Sequence, residues 1–350
     1  AGPVRAEVPI ATVGPMTGDL AVFGDQLKNG AGLAVELINQ QGGVLGEELE
    51  LVVGDDACDP KQAVSVANQM AVEGVVFVAG HLCSGASMPA SEVYYDEGVI
   101  MMSPASTTPD LTERGMENIF RTSGRDDQQG QVAGEYIAAN FGDQRIGIIN
   151  DKSTYTKGLA DEVKKVLNAA GIEEALFESF TAGEQDYTAL ATRLRTENLD
   201  FLYCACHHPE AGLLIRQLRE QGSELVMMGG DALANTELWT IAGDAAEGTL
   251  MTFNPDPARD PNAAEAVALM QERGVDPSGF TLYTMAAVQA FAQAAEQAGS
   301  TDWEAVSAAL KSGSFQTVLG EISFDEKGDV SAPGFVVYAW HQGEYDYVQE

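Results

Sequence analysis

Two rhythms of apolar residues alternate along this chain. Short, continuously apolar runs are separated by longer stretches in which apolar residues recur every three or four positions. The runs at 9–13, 49–53, 74–79 and 99–103 predict strands. Between the first two, Leu27, Ala31, Ala34, Val35 and Ile38 share one face of a helix over 26–40, which Gly42-Gly43 stops. Pro60, in the first turn, opens a helix running to about residue 73, with Asp59 placed to cap it, and a third helix is expected over 87–96.

The same alternation resumes further on. Helices are expected over 128–140, 157–170, 187–197 and 210–221, and strands over 145–150, 174–180, 201–206 and 225–228. Strands that are apolar on both faces and alternate with helices make parallel sheets with helices on either side. Two such halves predict an α/β protein of two doubly wound lobes. The last third breaks the pattern, with three successive helices at 262–273, 281–298 and 303–312 and then strands at 321–324 and 334–340. That tail is too short for a third domain, so it is expected to complete the first two, and the chain then crosses between them several times.

Composition narrows the function. At 350 residues the chain exceeds what one core usually supports. Its 53 acidic against 19 basic side chains give a net charge of −34, which repels phosphate backbones and anionic membranes and argues against nucleic-acid binding. No apolar run is long enough to span a bilayer. Residues 1–6 read as the tail of a cleavage site or an added scar, outside the fold. Of four cysteines, Cys58 and Cys83 each follow an apolar run and would pair in an oxidising compartment. Cys204 and Cys206 stand two apart on one strand, too far for easy bridging, and are expected to be packed thiols.

Open parallel sheets bind ligands beyond the carboxyl ends of their strands. The loops there carry no cofactor signature. Gly14-Pro15-Met16-Thr17-Gly18 has the wrong spacing for a dinucleotide, and Gly80-His81-Leu82-Cys83-Ser84-Gly85 lacks both the P-loop lysine and the nucleophile-elbow spacing. No metal site is expected from Cys204-Ala205-Cys206-His207-His208. What remains is a set of hydroxyls, Ser84, Ser103, Ser106 and Thr107, with helix-leading loops that suit a carboxylate, and one acid, Asp231, that suits an ammonium. A zwitterion needs both.

Several of these strings are similar to the leucine/isoleucine/valine-binding protein family. They are Val13-Gly14-Pro15-Met16-Thr17-Gly18, Gly54-Asp55-Asp56-Ala57-Cys58-Asp59-Pro60-Lys61-Gln62-Ala63, Gly80-His81-Leu82-Cys83-Ser84 and Pro104-Ala105-Ser106-Thr107. His208-Pro209-Glu210, Ile241-Ala242-Gly243 and Phe324-Asp325-Glu326-Lys327-Gly328-Asp329 extend the match over residues 8 to 345. The resemblance implies a type I periplasmic binding fold with three crossovers, near 121–123, 251–253 and 327–330. It implies an N-terminal lobe of 1–122 plus 253–329, a C-terminal lobe of 123–252 plus 330–350, a ligand in the cleft between them, and a Cys58–Cys83 disulfide.

Carried over by position, Ser84 and Thr107 would hold a ligand carboxylate, and the Ala105 carbonyl and the Thr107 hydroxyl would accept from its ammonium. Tyr155 would add a bond from the other lobe, and Asp231, with Ala232 beside it, would pair with the ammonium. Phe23, Leu82 and Cys83 would line the side-chain pocket. The chain departs from the pattern at His207, Met285 and Phe23, where tyrosines are expected, and at Asp231, where glutamate is expected.

The implied role is a periplasmic, secreted and monomeric carrier, not an enzyme and without a cofactor. It would pass a neutral amino acid, branched-chain or aliphatic, to the permease of an ABC importer. The alternatives are a carrier for a small or ω-amino acid of the proline, alanine or γ-aminobutyrate type, or a ligand sensor of the same fold.

Overall fold

The computed structural model describes residues 7–331 and 334–348, so the segment 1–6, read above as a processing remnant, lies outside the described residues. The chain divides into two compact units, Ala1–Gly124 with Asp256–Ala332, and Arg125–Pro255 with Pro333–Glu350.

The first unit begins with β1 (Glu7–Gly14), α1 (Ala21–Gln40), β2 (Glu48–Asp55), α2 (Pro60–Val72), β3 (Phe77–Gly80), α3 (Ser84–Glu97), β4 (Ile100–Ser103), a short α4 (Asp110–Glu113) and β5 (Ile119–Arg121). The second unit follows with α5 (Asp126–Phe141), β6 (Ile146–Asn150), α6 (Thr154–Ala169), β7 (Leu176–Ser179), α7 (Thr188–Thr196), β8 (Phe201–Ala205), α8 (His208–Glu220), β9 (Val226–Gly229), α9 (Glu237–Ala242) and β10 (Leu250–Phe253). The chain then returns to the first unit for α10 (Ala264–Glu272), α11 (Thr281–Ala298), α12 (Trp303–Ser312), β11 (Phe315–Thr317) and β12 (Gly320–Ile322). It ends in the second with β13 (Val336–His341) and β14 (Glu344–Tyr347).

Among the described residues the first unit's main sheet runs β2-β1-β3-β4-β5, all parallel. The second unit's sheet runs β14-β13-β10-β9-β8-β6-β7, and its β7-β6-β8-β9-β10 portion is parallel. Both parallel portions have the same winding, with the strand order reversing between the first and third strands. In the second sheet β13 and β14 extend the far edge antiparallel, so the sheets are mostly rather than wholly parallel. Among the described residues no helix is long and apolar enough to cross a membrane.

The first sheet shows why continuous apolar strands are needed. Val8, Ile10, Phe77, Ala79, Ile100, Met102 and Phe120 face one core, with α1 and α11. Their neighbours Ala11, Val13, Val78, Met101 and Ile119 face the other, with α2 and α3. Successive strand residues point to opposite faces, so a strand covered on both sides has no polar position to spare. Phe77 stacks on Phe291 of α11 with centroids 4.4 Å apart. Truncating either ring would cost about 3–5 kcal/mol. Helix α1 approaches α11 so closely that a Cβ on Gly30 would stand 2.1 Å from the Thr281 carbonyl oxygen. Asp59 caps α2 by accepting from the Gln62 N–H at 2.8 Å, as its place before Pro60 predicts.

Cys58 and Cys83 form a disulfide with Cα atoms 5.5 Å apart, joining the loops that follow β2 and β3. Cys204 and Cys206 are also joined, which corrects the expectation of two packed thiols. The reason is local. Strand β8 ends at Ala205, and the chain curls there to bring the two Cα atoms to 5.1 Å. A fully extended pair would be about 6.6 Å apart.

Candidate functional site

The winding of each sheet marks where its chemistry should lie. In the first unit the order reverses between β1 and β3, and in the second between β6 and β8. At such a reversal the loops leave in opposite directions and open a crevice at the carboxyl ends.

In the first unit Leu82, Cys83 and Ser84 follow β3, while Ala105 and Thr107 follow β4. This corner is built on a buried polar frame. His81, fully buried, binds Asp56 through Nδ1 at 2.7 Å and the Tyr94 hydroxyl through Nε2 at 2.8 Å. The Ser103 hydroxyl donates to the His81 carbonyl at 2.6 Å and accepts from the Ser106 N–H at 2.9 Å. Ser106 donates to the Leu82 carbonyl at 2.8 Å and pairs with Ser87 at 2.7 Å. Ser103 and Ser106, read from sequence as available hydroxyls, are therefore committed to holding the loops together.

Arg121 completes the frame. Its guanidinium donates to the carbonyls of Ser106 and Thr108 at 2.9 and 2.8 Å and pairs with Asp329 at 2.8 Å. Between those two carbonyls lies Thr107, whose Oγ1 is buried without a hydrogen-bond partner among the described residues. Leaving such an oxygen unpaired is costly unless something else pairs with it. Ser84 opens α3 and its hydroxyl accepts from the Thr108 N–H at 3.3 Å. The first N–H groups of a helix have no partner inside it. The Ala105 N–H leans on Ser103 Oγ at 3.3 Å.

Phe23, buried in α1, lies 5.7 Å from the ring of Phe280, a residue not singled out from the sequence. Phe280 is in turn held through its N–H by Gln26 Oε1 at 2.9 Å. Met285 belongs instead to the apolar core shared by α1 and α11.

In the second unit Tyr155 stands in the first turn of α6, His207 immediately precedes α8, and Asp231 and Ala232 follow β9. Asp231 is only 3% exposed. The Tyr155 hydroxyl donates to its Oδ1 at 2.8 Å and Gln129 Nε2 donates to the same oxygen at 3.3 Å. Burial pushes the Asp231 carboxyl up to about 6, against the opposing pull of those two donors. Among the described residues no lysine or arginine forms an ion pair with it. Burial and the Asp231 charge together raise the Tyr155 hydroxyl well above its ordinary value, so it stays a donor. Gly230 leaves room for this contact, because a Cβ there would stand 2.5 Å from the Tyr155 oxygen.

His207 is partly exposed, with its ring 5.4 Å from that of Tyr155 and its Nδ1 3.8 Å from Asp151 Oδ2. Burial opposes ionisation of Asp151, but His207, Thr156 and Ser153 outweigh it and hold that carboxyl well below the usual carboxylate range.

The two units differ in their chemistry. The first unit offers hydroxyls and a helix start to an anion. The second offers a buried carboxylate to a cation. The family model described as "Periplasmic binding protein" matches residues 7–343. The chain is 47% identical to the Leu/Ile/Val-binding protein homolog 1 of Brucella suis, covering 100% of this chain and 95% of that protein. It is 45% identical to the leucine-, isoleucine-, valine-, threonine-, and alanine-binding protein of Pseudomonas aeruginosa, covering 96% and 90%. A crystal structure of a leucine binding protein from Thermotoga maritima superposes with a TM-score of 0.90 at 29% identity, covering 98% of each chain. Fold and full-length similarity agree: this chain belongs to the periplasmic binding protein family.

Proposed function

We propose that this chain is an extracytoplasmic carrier that binds a neutral amino acid, branched-chain or aliphatic, and presents it to the permease of an ABC importer. The observation that carries the reading is the buried Asp231 carboxylate, which has hydrogen-bond donors but no cationic ion-pair partner among the described residues. A buried charge without its complement costs several kcal/mol. A ligand ammonium supplies that complement. Within the first unit, Ser84 and the unpaired Thr107 hydroxyl suit a carboxylate. Phe23, Leu82, Cys83, Phe280 and Ala232 supply apolar surface for the ligand side chain. Ligand binding then favours one liganded form of the protein, which the permease recognises.

The chain's similarity to Leu/Ile/Val-binding proteins supports this class, and the Pseudomonas protein adds threonine and alanine to it. A small or polar amino acid is the second reading, favoured by the partly exposed His207 beside Tyr155. A Cys58–Cys83 disulfide suits the periplasm, reached through a leader that is then removed. The protein acts as a monomeric carrier rather than a catalyst.

The test is the thermal stability of ligand-stripped protein against a panel of amino acids. A ligand that binds only the folded state adds about 2.7 kcal/mol at a hundredfold excess over its Kd. Leucine, isoleucine and valine are expected to raise the midpoint. Shifts only with small or polar amino acids move the specificity to the second reading. A panel in which no α-amino acid raises the midpoint removes the zwitterion site.

A further inference from the structure

Gln129 was not singled out by the sequence, yet its side chain makes two hydrogen bonds to Asp231. It is fully buried on α5. Its Oε1 accepts from the Asp231 N–H at 2.9 Å and from the Thr252 hydroxyl at 2.8 Å. Its Nε2 donates to Asp231 Oδ1 at 3.3 Å and to Asp126 Oδ1 at 3.2 Å. One amide thus grips both the main chain and the carboxylate of the same residue, and is itself anchored by Thr252 on β10. We propose that Gln129 is a positioning residue for ligand binding, fixing the Asp231 carboxylate where it meets the ligand ammonium. The inference rests on the reading of Asp231 given above.

The chemistry of the amide explains why glutamine and no shorter or charged group serves. A group that accepts from a main-chain N–H and donates to a carboxylate one residue's reach away must carry both functions on one planar end. The ionisable groups facing Asp231 are Asp126 from α5, Tyr155 from α6, Tyr203 from β8 and His207 at the start of α8. Asp126 and Asp231 are both buried acids, and the shared Nε2 donor is the neutral group between them. A negative charge at position 129 would crowd three acids together and push protonation of Asp231 to higher pH.

Two substitutions separate the two grips. Gln129→Met keeps the length and loses every bond. Gln129→Glu keeps acceptors for the Asp231 N–H and Thr252 but loses the donor. L-Leucine affinity of the ligand-stripped full chain is measured by calorimetry between about pH 5 and pH 8, with thermal unfolding as the folding control. Gln129→Met is expected to bind about tenfold or more weakly at the upper end of that range. Gln129→Glu is expected to move the pH at which affinity is half lost upward by about one pH unit, a change that loss of packing alone does not produce. If Gln129→Met does not fold, Gln129→Glu decides alone. Wild-type affinity within about twofold, together with an unmoved pH profile, overturns the proposal. Asp231→Asn distinguishes the levels. Weak binding by Asp231→Asn with normal Gln129 variants overturns this proposal only, whereas normal binding by Asp231→Asn overturns the ammonium reading and the proposal with it.

Discussion

The Tyr155 hydroxyl donates to Asp231 Oδ1 at 2.8 Å, and both side chains are buried. The tyrosine oxygen stands where it stabilises the charged form of the acid. Tyr155→Phe removes a charge-assisted bond worth about 1.5–3 kcal/mol, so amino-acid affinity should fall about tenfold or more. Titration calorimetry with leucine at neutral pH checks this, and unchanged affinity would show that the bond does not serve binding.

The raised carboxyl of Asp231 has a stability consequence of opposite sign. The folded value is about 6 against 3.8 for the free group, so the folded, ligand-free protein holds its proton where the unfolded chain has lost it. Stability therefore declines as pH rises from about 4 to about 6, and by pH 7 the ionised acid costs about 3 kcal/mol. Asp231→Asn should stabilise the stripped protein by up to that amount above pH 6, add little below pH 4, and abolish binding. Urea unfolding across this range reads the difference. A variant less stable than wild type at neutral pH would refute the assignment.

Thr107 offers a cleaner separation of binding from folding. Its hydroxyl oxygen has no partner among the described residues, so Thr107→Val deletes a bond that the ligand-free protein does not make. Stability of the stripped protein should be unchanged or slightly higher, while affinity drops by about tenfold. Equal losses of stability and affinity would place that oxygen in the scaffold instead.

The Cys58–Cys83 bridge closes a loop containing β3 and α2. Cys58→Ser paired with Cys83→Ser should cost on the order of 3 kcal/mol in unfolding free energy. The same substitution frees the two loops whose residues Asp56 and His81 are already bonded at 2.7 Å, so part of the geometry should survive. Chemical denaturation with and without the bridge measures the difference.

Much of this architecture is legible in the sequence because buried parallel strands cannot hide their composition. Helices α11 and α12 coincide with the periodic stretches 281–298 and 303–312, and β9 falls one residue from the run 225–228. The misses have physical causes. Strands β5 and β10 lie where the chain was read as crossing between lobes, and each is too short to display a period of its own. Strand β14, Glu-Tyr-Asp-Tyr, pairs only on one side and so keeps acidic residues. Helix α3 begins at Ser84 rather than 87, because Ser84-Gly85-Ala86 carries no apolar signal. At the candidate site, Ser84, Thr107 and Asp231 could be named from loop position, and Tyr155 from the family resemblance. Gln129 could not, because it lies in the polar opening Asp126-Asp127-Gln128-Gln129 of α5, where nothing local tells a buried amide from a solvated one. Nor could the fate of Ser103 and Ser106, since a hydroxyl looks the same whether it awaits a ligand or ties down a loop.

The stacking of Phe77 on Phe291 has a consequence for the order in which the protein is made. Phe77 is synthesised early, but its partner lies on α11, which leaves the ribosome only after the whole run from α5 to β10. Until then one face of the first sheet, with Val8, Ile10, Ile100, Met102 and Phe120, lacks one of the two helices that cover it. The unit begun first is thus completed almost last. A nascent chain therefore carries part of that apolar face uncovered until α11 is made, a stage at which exposed apolar surface favours aggregation.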